Sequence, residues 1–190
     1  WCSPSVTGTL TIPESVTSVY TLAFYDAANL SSLVIPESMQ VMPGTLFGLC
    51  PALEDIRIAE NNPAFHSDPP LVFSPDDSTV FFCERDAEEL PDFPENTKSI
   101  IDYAMASCKE LKEIVLPENI THIMSNAFEN CTNLQHAVLP GTLSFIGNDV
   151  FKGCSSLTDI DFEGSKEAWE QLTDRFDLGI DESRTTIHFR

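Results

Sequence analysis

The sequence predicts a solenoid of stacked short coils, with short parallel β-strands on one face and tight helical or 3₁₀ returns on the other. One apolar pattern recurs with a spacing of 23 residues, most clearly from Cys108 to Phe162. Each copy opens with a strand-like alternation, which in most copies ends at Ile-Pro or Leu-Pro, and then places apolar residues three and four apart. A fixed period of this size is typical of stacked supersecondary units.

The repeating unit is complete in the first two copies. The first supplies Leu10, Ile12, Pro13, Val16, Val19, Ala23, Phe24, Ala27 and Leu30, and the second supplies Leu33, Ile35, Pro36, Met39, Met42, Leu46, Phe47, Cys50 and Leu53. Because proline has no N–H to donate, it ends each strand. Burying about seven apolar side chains contributes on the order of 10–20 kcal/mol, whereas ordering a coil costs about 1–2 kcal/mol per residue. One coil therefore cannot fold alone, and we expect a single domain spanning 1–190 with about six repeats.

Two segments depart from the period. Ile58 and Phe93 are 35 residues apart instead of 23, so twelve residues have been added. Within the insertion, at about 60–89, two apolar runs flank a Pro/Asp turn, which predicts a β-hairpin that projects from the solenoid or extends a sheet. Residues 163–190 contain a short helix capped by Ser165 and a final strand over 185–189, and we expect them to cover the last open repeat.

Four of the six cysteines occupy one repeat position: Cys50, Cys108, Cys131 and Cys154. Stacked coils would place them about 4.8 Å apart with parallel side-chain directions, which do not suit disulfide geometry. Ala27 fills the same position in the first copy. We therefore interpret these cysteines as small buried residues, and Cys2 and Cys83 remain unassigned.

Charge and hydropathy exclude several classes of partner. The formal net charge of −20 would repel nucleic acid and anionic lipid, so we expect neither as a partner. No apolar run approaches the roughly 18–20 residues that cross a bilayer, and no segment has the layout of a signal peptide. Because the sequence begins at Trp1, a removed secretory leader is one candidate for what preceded it.

The unit, with Ile-Pro after the strand and Ala-Phe-x-x-Cys-x-x-Leu in the return, resembles the BspA-like leucine-rich repeats of bacterial and protozoan surface proteins. The resemblance covers about residues 7–172, with departures at Ala59, Met105 and Val150. It implies a right-handed α/β leucine-rich-repeat solenoid that is exported or displayed on the cell surface and takes part in adhesion or recognition.

No catalytic, cofactor or metal-binding constellation is evident. The four histidines, His66, His122, His136 and His188, lack metal-ligand spacing. The Asp76-Asp77-Ser78 segment could touch calcium, but it lacks a spaced acidic ladder, and a solvated turn is favoured.

The outward strand positions carry the candidate binding surface: Val34, Arg57, Glu113, Val115, His136 and Val138. In-line exposed β-branched residues often mark contact sites, although valine also suits a strand on either face. We expect a monomeric, non-enzymatic recognition or adhesion module that binds a protein or glycan. The alternative is a rigid spacer that presents another domain of a longer surface protein.

Overall fold

The predicted solenoid is confirmed. The structure, a computed structural model, describes residues 6–20, 23–24, 27–41, 50 and 52–190, and these form a β-solenoid of about seven turns with mostly parallel strands and little helix. The elements in chain order are β1 (Thr7–Thr11), β2 (Asn29–Ile35), β3 (Asp55–Ile58), β4 (His66–Asp68), β5 (Leu71–Phe73), β6 (Thr79–Cys83), β7 (Ser99–Ile100), β8 (Glu113–Val115), β9 (His122–Ile123), β10 (His136–Pro140), β11 (Phe145–Ile146), β12 (Asp159–Glu163), α1 (Lys166–Thr173) and β13 (Thr186–Phe189).

The strands of the described residues form three sheets. The N-terminal sheet has the order β1-β2-β3, and the C-terminal sheet has the order β13-β12-β10-β8; all pairs in both are parallel. The lateral sheet has the order β11-β9-β7-β6-β5-β4. Its parallel strands β7, β9 and β11 lie within the returns, where only helical turns were expected, because the β-branched residues Ile100, Ile123 and Ile146 pair from coil to coil.

Beyond the lateral strands, the returns contain 3₁₀-type hydrogen bonds, as predicted, and their described residues form no continuous helix. Cys131 N–H donates to Phe128 O at 3.3 Å, and Leu134 N–H donates to Cys131 O at 3.1 Å. Positive φ values recur at two repeat positions: 60° at Asn126, as at Tyr103 one coil earlier, and 62° at Asn130, close to the 64° of Ser107. These left-handed residues interrupt the helical path. They also help the chain bond the next coil, since Asn130 N–H donates to Lys152 O at 2.7 Å.

The insertion forms the predicted hairpin and extends the lateral sheet instead of projecting from the solenoid. Strand β5 pairs antiparallel with β4 and β6, and β6 pairs parallel with β7. All three residues of β5 are buried. Leu71 and Phe73 pack into the C-terminal core, whereas Val72 packs into the N-terminal core. A strand that is apolar on both faces is typical of a position between two buried layers, so the hairpin joins the two halves of the solenoid.

The C-terminal segment continues the coil pattern before it ends. Ser165 caps α1 by accepting a hydrogen bond from Ala168 N at 3.2 Å. The buried Trp169 ring lies 5.2 Å from the Phe162 ring. Strand β13 then pairs with β12, so the segment covers the last coil and also adds one more strand to the C-terminal sheet.

The aligned cysteines are buried free thiols. The Sγ atoms of Cys50, Cys131 and Cys154 lie 3.0–3.1 Å from the carbonyl oxygens of Phe24, Met105 and Phe128, one coil earlier. These cysteines therefore act as hydrogen-bond donors as well as small core residues. Cys2, Met42, Leu46 and Phe47 lie outside the described residues.

Cys108 has a different environment from the other aligned cysteines. Its Sγ lies 3.9 Å from Nη1 of the buried Arg85. The guanidinium of Arg85 also lies over the Phe82 ring, with Cζ 4.5 Å from the ring centroid. A hydrogen bond with the Cys83 thiol and the nearby guanidinium lower the pKa of Cys108 to about 7. The same thiol contact, together with burial, raises the pKa of Cys83. Cys83, which the repeat pattern left unassigned, is thus the buried partner of Cys108.

Candidate functional site

The outward face of the C-terminal sheet, called the strand face below, brings four of the six predicted site residues together. The registers place His136 beside Glu113 and Val138 beside Val115. Alternate residues of β8 point inward, and Ile114 is 1% exposed, whereas Val115 is 58% exposed. Val138 is half-buried. The face therefore combines an exposed apolar centre with polar neighbours on rigid strands.

Contacts between histidine and carboxylate side chains link the polar residues of the strand face across coils. His136 Nδ1 lies 2.9 Å from Glu113 Oε1, and His136 Nε2 lies 3.3 Å from Asp161 Oδ2. At the end of the sheet, His188 Nε2 lies 3.0 Å from Asp159 Oδ1. This contact is the main cause of the lowered pKa of Asp159. These contacts orient the imidazole rings and the carboxylates relative to one another on the face.

Val34 and Arg57 lie on a different sheet. They are neighbours across β2 and β3, and Arg57 Nε donates to Asp55 Oδ2 at 2.8 Å. Between β3 and β8 lie residues 90–93, which form no strand. The outward residues of the strands therefore do not form one continuous row, and the six candidates occupy two separate surfaces.

Pro91 accounts for the interruption. Shifted by 23 residues, it corresponds to Ile114, the inward residue of β8. In the parallel ladder, Leu116 N–H donates to Val138 O at 3.0 Å, so the alternation gives Ile114 N–H the carbonyl of His136. At the equivalent point Pro91 has no N–H to offer Glu113 O. The pattern of apolar positions does not show this effect, because it does not record which backbone N–H groups the ladder needs.

The histidines and the Asp76 turn serve local contacts. His66 Nε2 lies 2.7 Å from Asp77 Oδ1, and His122 Nδ1 lies 2.9 Å from the Thr121 hydroxyl. Hydrogen bonds from Ser78 and Ser74 lower the pKa of Asp76 to about 2, as expected for a carboxylate that closes a turn. Within the described ranges, no group of three or more His, Cys, Asp or Glu side chains could hold a metal ion.

Asp161, His188 and Arg190 complete the strand face and were not among the predicted site residues. Arg190 Nη1 lies 2.6 Å from Glu163 Oε1 and Nη2 lies 4.0 Å from Asp161 Oδ2. Asp161 follows Val138 by 23 residues, so the repeat period could have identified it. His188 lies in β13 and Arg190 directly follows that strand. Strand β13 pairs Asp159 with Thr186, at a spacing of 27 instead of 23.

Comparison with solved structures supports the fold. A leucine-rich repeat protein from Eubacterium ventriosum matches with a TM-score of 0.74 and 19% identity, over 82% of this chain and 42% of that protein. The pneumococcal vaccine antigen PcpA matches with a TM-score of 0.64 and 20% identity, over 83% of this chain and 51% of that antigen. This chain thus spans about half or less of each of these structures.

Three further findings bear on classification. No curated protein matches the sequence. In the part of the chain that the structure describes, no helix has the length and apolar character to cross a membrane. The sequence model of the family described as the BspA-type leucine-rich repeat region matches this chain in six copies, over residues 4–68 and 78–172. The chain belongs to the BspA-type leucine-rich repeat family.

Proposed function

We propose that this chain is a non-enzymatic recognition or adhesion module of the cell surface, which binds a protein or glycan partner as a monomer through its strand face. The observation that carries the proposal is Val115, a β-branched side chain that is 58% exposed on a rigid parallel strand. Exposed apolar residues on a solenoid surface, surrounded by polar groups, are typical of contact sites.

The polar surroundings of Val115 support a role in specific contact. His136 is held between Glu113 and Asp161, so neither its position nor that of the carboxylates depends on a flexible loop. Polar groups fixed in this way lose little conformational entropy when a partner pairs with them. A partner would meet a preformed surface that offers one apolar contact and several directional polar contacts.

The cell-surface location is supported by family membership and by the likeness to a pneumococcal vaccine antigen. A non-enzymatic role is supported by the local use of the ionisable side chains in the described ranges, where His66, His136 and His188 each contact a carboxylate on the solvent-exposed surface. None of these contacts includes a nucleophile beside a base in a pocket, which is the arrangement that nucleophilic catalysis needs.

The test is a partner screen with two matched variants. The labelled chain is applied to a glycan array, and the immobilised chain is incubated with cell-surface protein extracts. The affinity of every retained partner is then measured for the unmodified chain and for Val115→Asp and Val41→Asp. Val41 is 56% exposed, nearly the same as Val115, but it bridges Ser18 instead of lying on the strand face. We expect Val115→Asp to abolish binding and Val41→Asp to leave it unchanged. Equal binding by both variants would contradict the assignment to the strand face.

A rigid spacer is the second candidate, and one observation favours it. The solved relatives extend well beyond a segment of this length, since the matched region is 42% of one and 51% of the other. A segment that only separates other domains would retain no partner on any face. A screen in which the folded chain captures no glycan and no protein would therefore favour the spacer.

A further inference from the structure

The C-terminal sheet ends at an open edge. Strand β8 is its last strand. Residues 90–93, which follow the inserted hairpin, hold the equivalent repeat position one coil earlier but form no strand. Among the residues described, no backbone hydrogen bond joins β8 to this segment. One coil later, Val138 N–H and His136 C=O point toward β8. By the same alternation, Val115 N–H and Glu113 C=O point away from β10, toward the open edge.

A cleft lies along this open edge. Its volume is about 780 Å³, and its walls come from residues 88–93 on one side and from β8 and its flanks on the other. Leu90 and Phe93 are half-buried and pack on the C-terminal core, while Val115 is exposed. The cleft therefore offers apolar side chains beside unpaired backbone groups, the combination with which an open sheet edge binds an extended peptide.

The rim of the cleft is strongly acidic. Glu88, Glu89, Asp92, Glu110 and Glu113 line it, with Lys112 as the single basic side chain. Glu113 contacts His136, but within the described ranges the other four carboxylates make no ion pair and no side-chain hydrogen bond. These four charges are available to a partner, and a positively charged segment would relieve their mutual repulsion.

We propose that this cleft docks an extended, basic peptide segment of a partner protein, which adds to the open edge of β8 as a further strand and places Lys or Arg side chains between the rim carboxylates. The proposal rests on the proposed recognition function and narrows it to a protein partner. Backbone pairing with β8 supplies the alignment, and contact with Val115 and Phe93 supplies apolar burial. The carboxylates select for positive charge.

The first test uses a capped, fluorescent eight-residue peptide of alternating lysine and valine, with binding followed by fluorescence anisotropy. We expect saturable binding that weakens as salt rises, because the rim charges are exposed. A peptide of alternating glutamate and valine should not bind. Failure of the lysine peptide to bind at up to about 1 mM, the weak end of specific affinities, would overturn the proposal.

Two pairs of protein variants separate docking from general attraction to an acidic chain. Val115→Pro removes the edge N–H, whereas Val115→Thr retains it; we expect binding by the proline variant to be about fivefold weaker, the effect of one hydrogen bond. Glu89→Lys/Glu110→Lys should weaken binding about tenfold or more. Asp174→Lys/Glu182→Lys makes the same change in net charge at a distance from the cleft, and it should have less than about a twofold effect.

Each outcome bears on the proposal. If Val115→Pro fails to fold, comparison of the two double charge-reversal variants still tests docking in the cleft. Their four substituted positions are exposed, so both variants should fold. Equal weakening by both charge-reversal pairs would show non-specific attraction and overturn docking in the cleft. A partner that is retained in the wider screen and is insensitive to the cleft variants would leave the recognition function standing and overturn this site.

Discussion

Replacing Phe128 with alanine tests the energy that holds adjacent coils together. The side chain is fully buried, and its ring stacks on that of Phe151 with centroids 5.6 Å apart and planes 11° apart. Both residues occupy the same repeat position in successive coils. Removing a buried aromatic side chain leaves a cavity and typically costs about 3–5 kcal/mol, a large part of the roughly 5–15 kcal/mol that stabilises an ordinary domain.

The measurement is urea-induced unfolding followed by circular dichroism. We expect the free energy of unfolding to fall by about 3–5 kcal/mol in Phe128→Ala. The matched control is Phe189→Ala, at the end of β13, where the side chain is 37% exposed and the expected loss is about 1–2 kcal/mol. If both variants lost the same small free energy, the stacked aromatic column would not stabilise the solenoid as argued.

Two further predictions concern close contacts and a turn. A Cβ at Gly147 would lie 2.5 Å from Ser125 N of the preceding coil. Gly147→Ala should therefore destabilise the fold by about 1–3 kcal/mol through overpacking and lower the melting temperature by several degrees. An unchanged melting temperature would argue against the close approach. Ser78→Ala should raise the pKa of Asp76 from about 2 toward 3.8, as followed by NMR titration. Because the pKa of Asp76 is depressed in the folded state, its ionised form stabilises the turn above pH 3.8, and this contribution is lost as the pH falls through about 2. An unchanged Asp76 pKa in Ser78→Ala would contradict the hydrogen-bonding explanation.

The repeat period predicted the solenoid because every equivalent position repeats the same physical demand. Cys131 and Cys154 are both small, buried and in contact with the preceding coil, as a stacked position requires. The hairpin was also predictable, since Leu71 to Phe73 form an apolar strand beside a turn. Its place between the two cores was not, because an apolar run shows that a strand is buried without showing what covers its two faces.

The candidate site was predictable only in part. The outward alternation identified Glu113, Val115, His136 and Val138, which lie together on adjacent strands. The contact between His188 and Asp159 depends on how β13 pairs with β12, and the period of 23 does not extend to those two strands. Such contacts arise from tertiary register, which a single sequence does not specify when the spacing changes.

Residue-resolved amide hydrogen exchange tests the stacked coils and the open edge together. Leu116 and Phe128 N–H groups donate across coils at 3.0 Å and should exchange slowly. Val138 N–H lies within a paired ladder and should also be protected, whereas Val115 N–H, at the same position one coil earlier, faces the gap and should exchange fast. Fast exchange at Phe128 would contradict the stacking, and equal protection of Val115 and Val138 would contradict the open edge.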